Sequence, residues 1–444
     1  MIKKPNVKKF FNSARVTLLG FFGLIMFGSF LLSLPISTAS GDWVYYPDAL
    51  FTSVSAVCVT GLVVVNTATH WSIFGQIVIL ILIQIGGLGV VTIGMLLFML
   101  AGRKIGLQQR SNMQNSVSAP QMGGIVRLTK FIFLGTLISE IAGAVLMSPA
   151  FIRDYGWGKG IWMSLFHSVS AFCNAGFDIL GIDTPFASLT GYASNPLINL
   201  VIMALIILGG LGFVTWYDIK ENKLHLKRYR TQSKVILVTT LVLIILPAIY
   251  LFFAEFSDMP FGKRLLCSLF QAVTPRTAGF NTADYSAMSD AGKTLTIVLM
   301  LIGGSPGSTA GGMKTTTAAI LFMTALSVFR RREDTTLFGR RMAKNVVRQA
   351  FTVLMLYIVM FVLGGMLISA IDHIPILDCM FESASAVGTV GLTTGITPSL
   401  SIGSQVILML LMFFGRTGGL TLIFATISGV RYDSKLPEDK ITVG

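Results

Sequence analysis

The sequence predicts an all-α membrane protein in which four parallel repeats surround a pseudo-fourfold axis, with eight transmembrane helices in all. Each repeat is a span, a short half-helix, a loop and a second span. Three observations predict this: the spacing of long apolar stretches, the loop-by-loop placement of positive charge, and a short phrase that returns four times.

Only 12% of the 444 residues are charged, where soluble domains carry about a quarter. Apolar stretches run over 17–34, 73–101, 131–151, 197–216, 235–254, 295–329, 350–371 and 405–430. Each is near or above the ~20 residues that carry a helix across a bilayer. A large soluble helical core would instead show charged outer faces along its helices, and these are missing. The first stretch follows Lys3, Lys4, Lys8, Lys9 and Arg15, as a signal sequence would. It lacks a small-residue cleavage site, so it reads as the first span. Cys58, Cys173, Cys267 and Cys379 lie in or beside apolar segments without a CxxC pair, and read as small buried residues rather than metal ligands or a disulfide framework.

With both termini inside and each stretch crossing once, the inner segments are 1–16, 102–130, 217–234, 330–349 and 431–444. They hold 26 of the 34 Lys and Arg residues, which satisfies the positive-inside rule loop by loop. The basic charge is thereby explained by topology, and a nucleic-acid partner is not needed. Carboxylates such as Asp42, Asp48, Asp178, Asp183 and Asp284 gather on the outer side, where they would concentrate cations. Arg276, Lys314, Arg416, Glu140 and Glu382 belong to neither surface. An ionised group at membrane depth costs roughly 3 kcal/mol or more without a partner or water, so these five are functional candidates.

The returning phrase occupies Leu50–Gly61, Leu165–Gly176, Leu269–Gly279 and Met380–Gly391, with closing glycines 115, 103 and 112 residues apart. It divides the chain into repeats at 1–101, 102–216, 217–329 and 330–444. Each phrase is a helix-like run too short to cross, ending in a polar, glycine-containing loop on the outer side. Two crossings per repeat make all four point the same way, so their axis lies along the membrane normal. Non-helical backbone at membrane depth survives only where protein buries it or water wets it. Four such loops meeting at an axis offer carbonyl oxygens that can replace the hydration shell of a cation. The loop residues are Val59, Thr60, Gly61; Asn174, Ala175, Gly176; Thr277, Ala278, Gly279; and Thr389, Val390, Gly391.

The pattern resembles the Trk/Ktr/HKT superfamily of potassium transporters, closest to the KtrB-type membrane subunits of its Ktr branch. The resemblance covers essentially the whole chain. It is carried by the four phrases, by Arg276–Thr282, and by the segment Gly303–Lys314. It implies a selectivity filter built from one loop per repeat, with key glycines at Gly61, Gly176, Gly279 and Gly391, and an all-glycine set implies preference for K+ over Na+. It further implies a plasma-membrane, bacterial potassium uptake subunit with sodium as a candidate stimulating ion. A homodimer follows from it, as does a cytosolic ring of RCK-type, KtrA-like nucleotide-binding subunits docking on the basic segments 219–233 and 330–349. No organic cofactor is expected on this chain.

The sixth apolar stretch is interrupted by Gly303, Gly304, Ser305, Pro306, Gly307, Ser308, Thr309, Ala310, Gly311 and Gly312, followed by Met313 and Lys314. Such a run will not stay helical. It reads as a kink, a short external loop, or an intramembrane gate below the loops; the resemblance favours the gate. Arg416 lies 25 residues after Gly391, and the same offset from Gly279 reaches Gly304. Arg416 is therefore expected in the pore at the level of the gate, the alternative being an ion pair with a carboxylate such as Glu140. Glu382 shares its phrase position with Thr52, His167 and Gln271, which suggests hydrogen bonds that hold the loops. Arg276 would repel a cation if it lined the path, so it reads as a brace pointing away, toward an outer carboxylate. Gly86-Gly87-Leu88-Gly89 and Gly209-Gly210-Leu211-Gly212 read as close helix packing, since no strand precedes them as a nucleotide loop would require.

Three rivals are weaker. A sodium- or proton-coupled secondary transporter calls for inverted repeats or paired intramembrane carboxylates, an intramembrane enzyme for a Ser–His or paired-Asp site, and a purely structural protein gives no reason for four glycine-ended phrases.

Overall fold

The computed structural model describes residues 13–100, 106–117, 121, 123–182, 184–223 and 225–418. Both chain ends, expected to be cytoplasmic, lie outside these. The first unit runs through α1 (Ser13–Ser33), the half-helix α2 (Tyr46–Val57), α3 (Ile73–Leu88) and α4 (Val90–Leu100). The second holds α5 (Ile125–Tyr155), the half-helix α6 (Trp157–Phe172), α7 (Pro196–Gly210) and α8 (Phe213–Asn222). The third holds α9 (Thr231–Tyr250), the half-helix α10 (Phe261–Val273), α11 (Asp290–Leu301) and α12 (Thr315–Phe329). The last holds α13 (Lys344–Asp372), the half-helix α14 (Ile376–Gly388) and α15 (Ile402–Thr417). Between α12 and α13, on the segment expected to be cytoplasmic, β1 (Thr336–Leu337) pairs antiparallel with β2 (Arg340–Arg341).

The same local chemistry recurs from unit to unit. The helix after each half-helix starts on a capping side chain: Ser72, Asn195, Ser289 and Ser401 each accept a hydrogen bond from a backbone N–H of the first turn. Three half-helices are pinned to the preceding span by one hydroxyl at the same phrase position. Ser53 donates to Ile25 O at 2.7 Å, Ser168 to Glu140 O at 2.6 Å, and Ser383 to Phe361 O at 2.8 Å. Glycines Gly28, Gly143 and Gly364 let those serines approach, because a methyl group at each would sit 2.5–2.6 Å from the serine oxygen. The third unit has Ala272 at this position and lacks the bond.

Among the described residues, four helices are long and apolar enough to cross a membrane, or six when each bent pair counts as one span. The expected stretch 295–329 is broken between α11 and α12, and 405–430 runs beyond the described residues at Gly418. The glycines at 86–89 and 209–212, expected to permit close helix packing, also mark bends. The chain bends by 97° between α3 and α4 and again by 97° between α7 and α8. The hinge residues Gly89 and Gly212 both sit at φ 86°, where a side chain would be strained. Close approach is present too: a methyl group at Gly86 would lie 2.2 Å from Val57 O, and one at Gly209 would lie 2.0 Å from Phe172 O. In these two units the end of the half-helix thus presses into the helix that follows, and that helix turns aside beneath it.

Candidate pore and gate

Each half-helix hands over to its loop in one way. The residue two before the loop glycine adopts a left-handed conformation: Val59 (φ 57°), Asn174 (58°), Thr277 (66°) and Thr389 (52°). A left-handed L-residue costs roughly 1–2 kcal/mol, and three of these four are β-branched. The strain is held in place by hydrogen bonds back to the half-helix. Thr60, Ala175 and Val390 N–H donate to Ser55, Ser170 and Ser385 O at 2.7–2.8 Å, and Ala278 N–H donates to Thr274 O at 3.0 Å. The side chains at these same positions add a second tie. Ser55 and Ser385 accept from the N–H of Gly61 and Gly391, while Ser170 and Thr274 donate to the carbonyls of Phe177 and Phe280.

Nine of the twelve loop N–H groups are thereby tied back to the half-helices. The carbonyls are left over: none of those of Val59, Thr60, Gly61, Asn174, Ala175, Gly176, Thr277, Ala278, Gly279, Thr389, Val390 or Gly391 accepts a hydrogen bond among the described residues. Buried carbonyls without partners are uncommon.

The glycines close a ring. A methyl group at Gly61 would lie 2.4 Å from Ala175 O, one at Gly176 2.8 Å from Ala278 O, one at Gly279 2.6 Å from Val390 O, and one at Gly391 2.1 Å from Thr60 O. Each loop therefore abuts the next, in chain order, and the fourth abuts the first. All four glycines sit at left-handed φ, from 71° to 94°. No side chain fits at any of them. On the outer side the ring opens into a cavity of roughly 90 Å³ lined by the four glycines. The residues two further on, Val63, Asp178, Asn281 and Thr393, also line it.

The shared phrase position within each half-helix braces three of the four loops. The Glu382 carboxylate accepts Thr393 Oγ1, Thr394 N–H and Thr397 Oγ1 at 2.5–3.1 Å. Gln271 donates to Ala283 O and accepts from Tyr285. His167 is held as a neutral tautomer, with Nδ1 against Met163 O and Nε2 accepting the Ile179 N–H. Thr52, the fourth member, has no partner for its hydroxyl among the described residues.

The interrupted segment crosses beneath the ring, contacts the second and fourth units, and is linked to the first through Arg416. Gly303 N–H donates to Met313 O, and Thr315 N–H to Gly304 O, which closes the segment on itself. It docks on the second unit's hinge through Ser305 N–H to Gly210 O, Thr309 N–H to Gly209 O and Phe213 N–H to Gly307 O. The Thr309 hydroxyl donates to Asn174 Oδ1 at 2.9 Å, directly beneath the second loop. Gly311 faces the Thr389 side chain beneath the fourth. Lys314 Nζ donates to Ala310 O and Gly311 O at 2.8 and 3.1 Å. Arg416 bridges the segment to the first unit, donating to Thr309 O and to Gly86 O and Gly87 O. No carboxylate pairs with it among the described residues, so its partners are backbone, not Glu140.

The outer carboxylate expected for Arg276 is likewise absent among the described residues. Its guanidinium is buried near Gly210 behind the third loop, with none of its three nitrogens hydrogen-bonded there, and its carbonyl accepts from Asn174 Nδ2. The hinges at Gly89 and Gly212 and the place of Asp178 in the outer mouth were missed from sequence. The first had a signal, since glycine pairs end several of the second helices; the second had only its two-residue offset from Gly176.

Comparison with known proteins shows the fold and the family. The chain is 40% identical over 455 residues to the potassium/sodium uptake protein NtpJ of Enterococcus hirae, with all of both chains covered. It is 37% identical over 452 residues to the Ktr system potassium uptake protein B of Bacillus subtilis, again covering 100% of each. The crystal structure of the potassium transporter TrkH from Vibrio parahaemolyticus superposes with a TM-score of 0.72 at 21% identity, over 92% of this chain and 85% of that one. The fold is therefore shared even where the sequences have diverged. Residues 29–434 match the family described as TrkH, cation transport protein, and the chain that folds its loops into a glycine ring above a broken helix belongs to that family.

Proposed function

We propose that this chain is the potassium-conducting membrane subunit of a Ktr-type uptake system. K+ would enter from the outer mouth, exchange its water for the loop carbonyls, and descend its electrochemical gradient when the segment 303–314 moves aside. One observation carries the reading: four buried loops close on each other through glycine, with nine of their twelve N–H groups bonded back to the half-helices and none of their carbonyls accepting a hydrogen bond among the described residues. Carbonyl oxygens at such a ring can replace a hydration shell without side-chain chemistry. The names of the relatives from Enterococcus hirae and Bacillus subtilis support potassium as the ion, and the former also names sodium.

The four-repeat division, the filter role of the loops and the gate role of 303–314 with Lys314 and Arg416 belong to the same proposal. So do a homodimer, a KtrA-like cytosolic partner ring and cytoplasmic termini. The Ktr-system names support a multicomponent assembly.

Rubidium flux into proteoliposomes holding the purified protein, competed by sodium, tests it. Wild type is expected to take up Rb+ with little competition from Na+, while Gly61→Ser lowers the flux and admits sodium. Wild-type protein that is folded, inserted and silent toward both ions would overturn the assignment.

A further inference from the structure

The four loops look alike through the glycine and then diverge. Two residues beyond it stand Val63, Asp178, Asn281 and Thr393, and all four line the outer mouth. Asp178 is the one ionisable side chain among the described residues that line it. A pseudo-symmetric ring with a single anion at its rim calls for an explanation that ring closure does not supply.

Asp178 is firmly placed. It begins an outer strap that runs to Leu189 and is tied at several points. The Ile179 N–H rests on His167 Nε2, Gly181 O accepts Asn66 Nδ2 at 2.6 Å from the first unit, and Leu189 N–H donates to Asn281 O at 3.0 Å on the third loop. One carboxylate oxygen accepts the Leu180 N–H at 3.2 Å, an Asx-turn contact that uses half of the acid's capacity. The side chain is only half-buried, on the cavity side.

We propose that Asp178 is the capture site of the outer mouth: its carboxylate draws a hydrated monovalent cation to the ring and sets the affinity of uptake. This rests on reading the ring as the cation path. A fixed charge in a narrow low-dielectric cleft raises the local cation concentration by tenfold or more, and salt screens the effect.

Asp178→Asn separates charge from turn, because an asparagine oxygen can still accept the Leu180 N–H. In proteoliposomes at low ionic strength, the variant is expected to raise the KM for Rb+ about five- to tenfold, with the maximal rate within twofold of wild type. Raising ionic strength with choline chloride should shrink the difference. Asp178→Glu should restore the affinity. If Asp178→Asn matches wild type in KM and in its dependence on ionic strength while Asp178→Ala is impaired, the residue is a turn former and the proposal is wrong. Absence of flux in wild type at every Rb+ concentration would instead strike the conduction reading itself.

Discussion

At Gly61 two constraints coincide: φ 94° and a neighbour's carbonyl where a methyl group would go. Gly41 separates them, since it has φ 79° with nothing within 4 Å of an added methyl. Gly61→Ala is therefore expected to lower Rb+ flux at least tenfold. Gly41→Ala carries only the conformational cost, about 1 kcal/mol, and should leave flux within twofold of wild type. Equal flux from the two variants, at matched protein in the vesicle, would mean that contact across the ring does not matter. This position was legible from sequence because repetition exposed it: the phrase returned at near-constant spacing and ended each time in glycine. The left-handed residue two places earlier was not legible. Val59, Asn174, Thr277 and Thr389 share no side-chain type, and β-branched residues are poor candidates for that conformation; the backbone holds them there through bonds to the half-helix. Arg276 was misjudged for a similar reason. Its surroundings are set by the hinge at Gly210, which linear spacing does not reveal.

Under the proposed function, the element that would decide whether ions pass is the break between α11 and α12. Its sequence, two glycine pairs around Ser, Pro and Thr, announced that it would not be helical, and that much was readable. What could not be read was its set of partners, because these come from three other units: Gly209 and Gly210 from the second, Thr389 from the fourth, and the first through Arg416. Arg416 is suited to the task, since a guanidinium presents several donors in a fixed plane and can hold carbonyls of two chain segments together. Lysine offers a point charge and cannot span the same oxygens as well. We expect Arg416→Ala to raise basal Rb+ flux about tenfold, Arg416→Lys to fall between it and wild type, and removal of 306–311 to raise flux further while erasing the effect of the arginine variant. Additive effects of the deletion and the substitution would show that they act through separate elements, against the bridge seen here. The bends at Gly89 and Gly212 belong to this scale too. Hydropathy runs unbroken through both, so periodicity and composition carried a straight span past a 97° turn.

At the scale of the whole molecule, the alternatives to a conducting pore are distinguished by energetics. All four half-helices end at the same ring. A cation that crosses such a path carries one charge through the full field, worth about 2.3 kcal/mol per 100 mV, or nearly two decades in the equilibrium ratio across the membrane. The voltage alone should therefore set the final accumulation. In vesicles clamped at a fixed inside-negative potential, we expect Rb+ to rise to the ratio that potential dictates and to stop there. Collapsing a proton or sodium gradient at constant voltage should leave that endpoint unchanged, even where sodium alters the rate. A protein that coupled K+ to either ion would carry Rb+ past the voltage limit, and would lose the excess when the driving gradient was removed. The endpoint, not the rate, is the discriminating quantity, because a regulator can change how fast a pore fills a vesicle but cannot move the equilibrium to which a passive path leads.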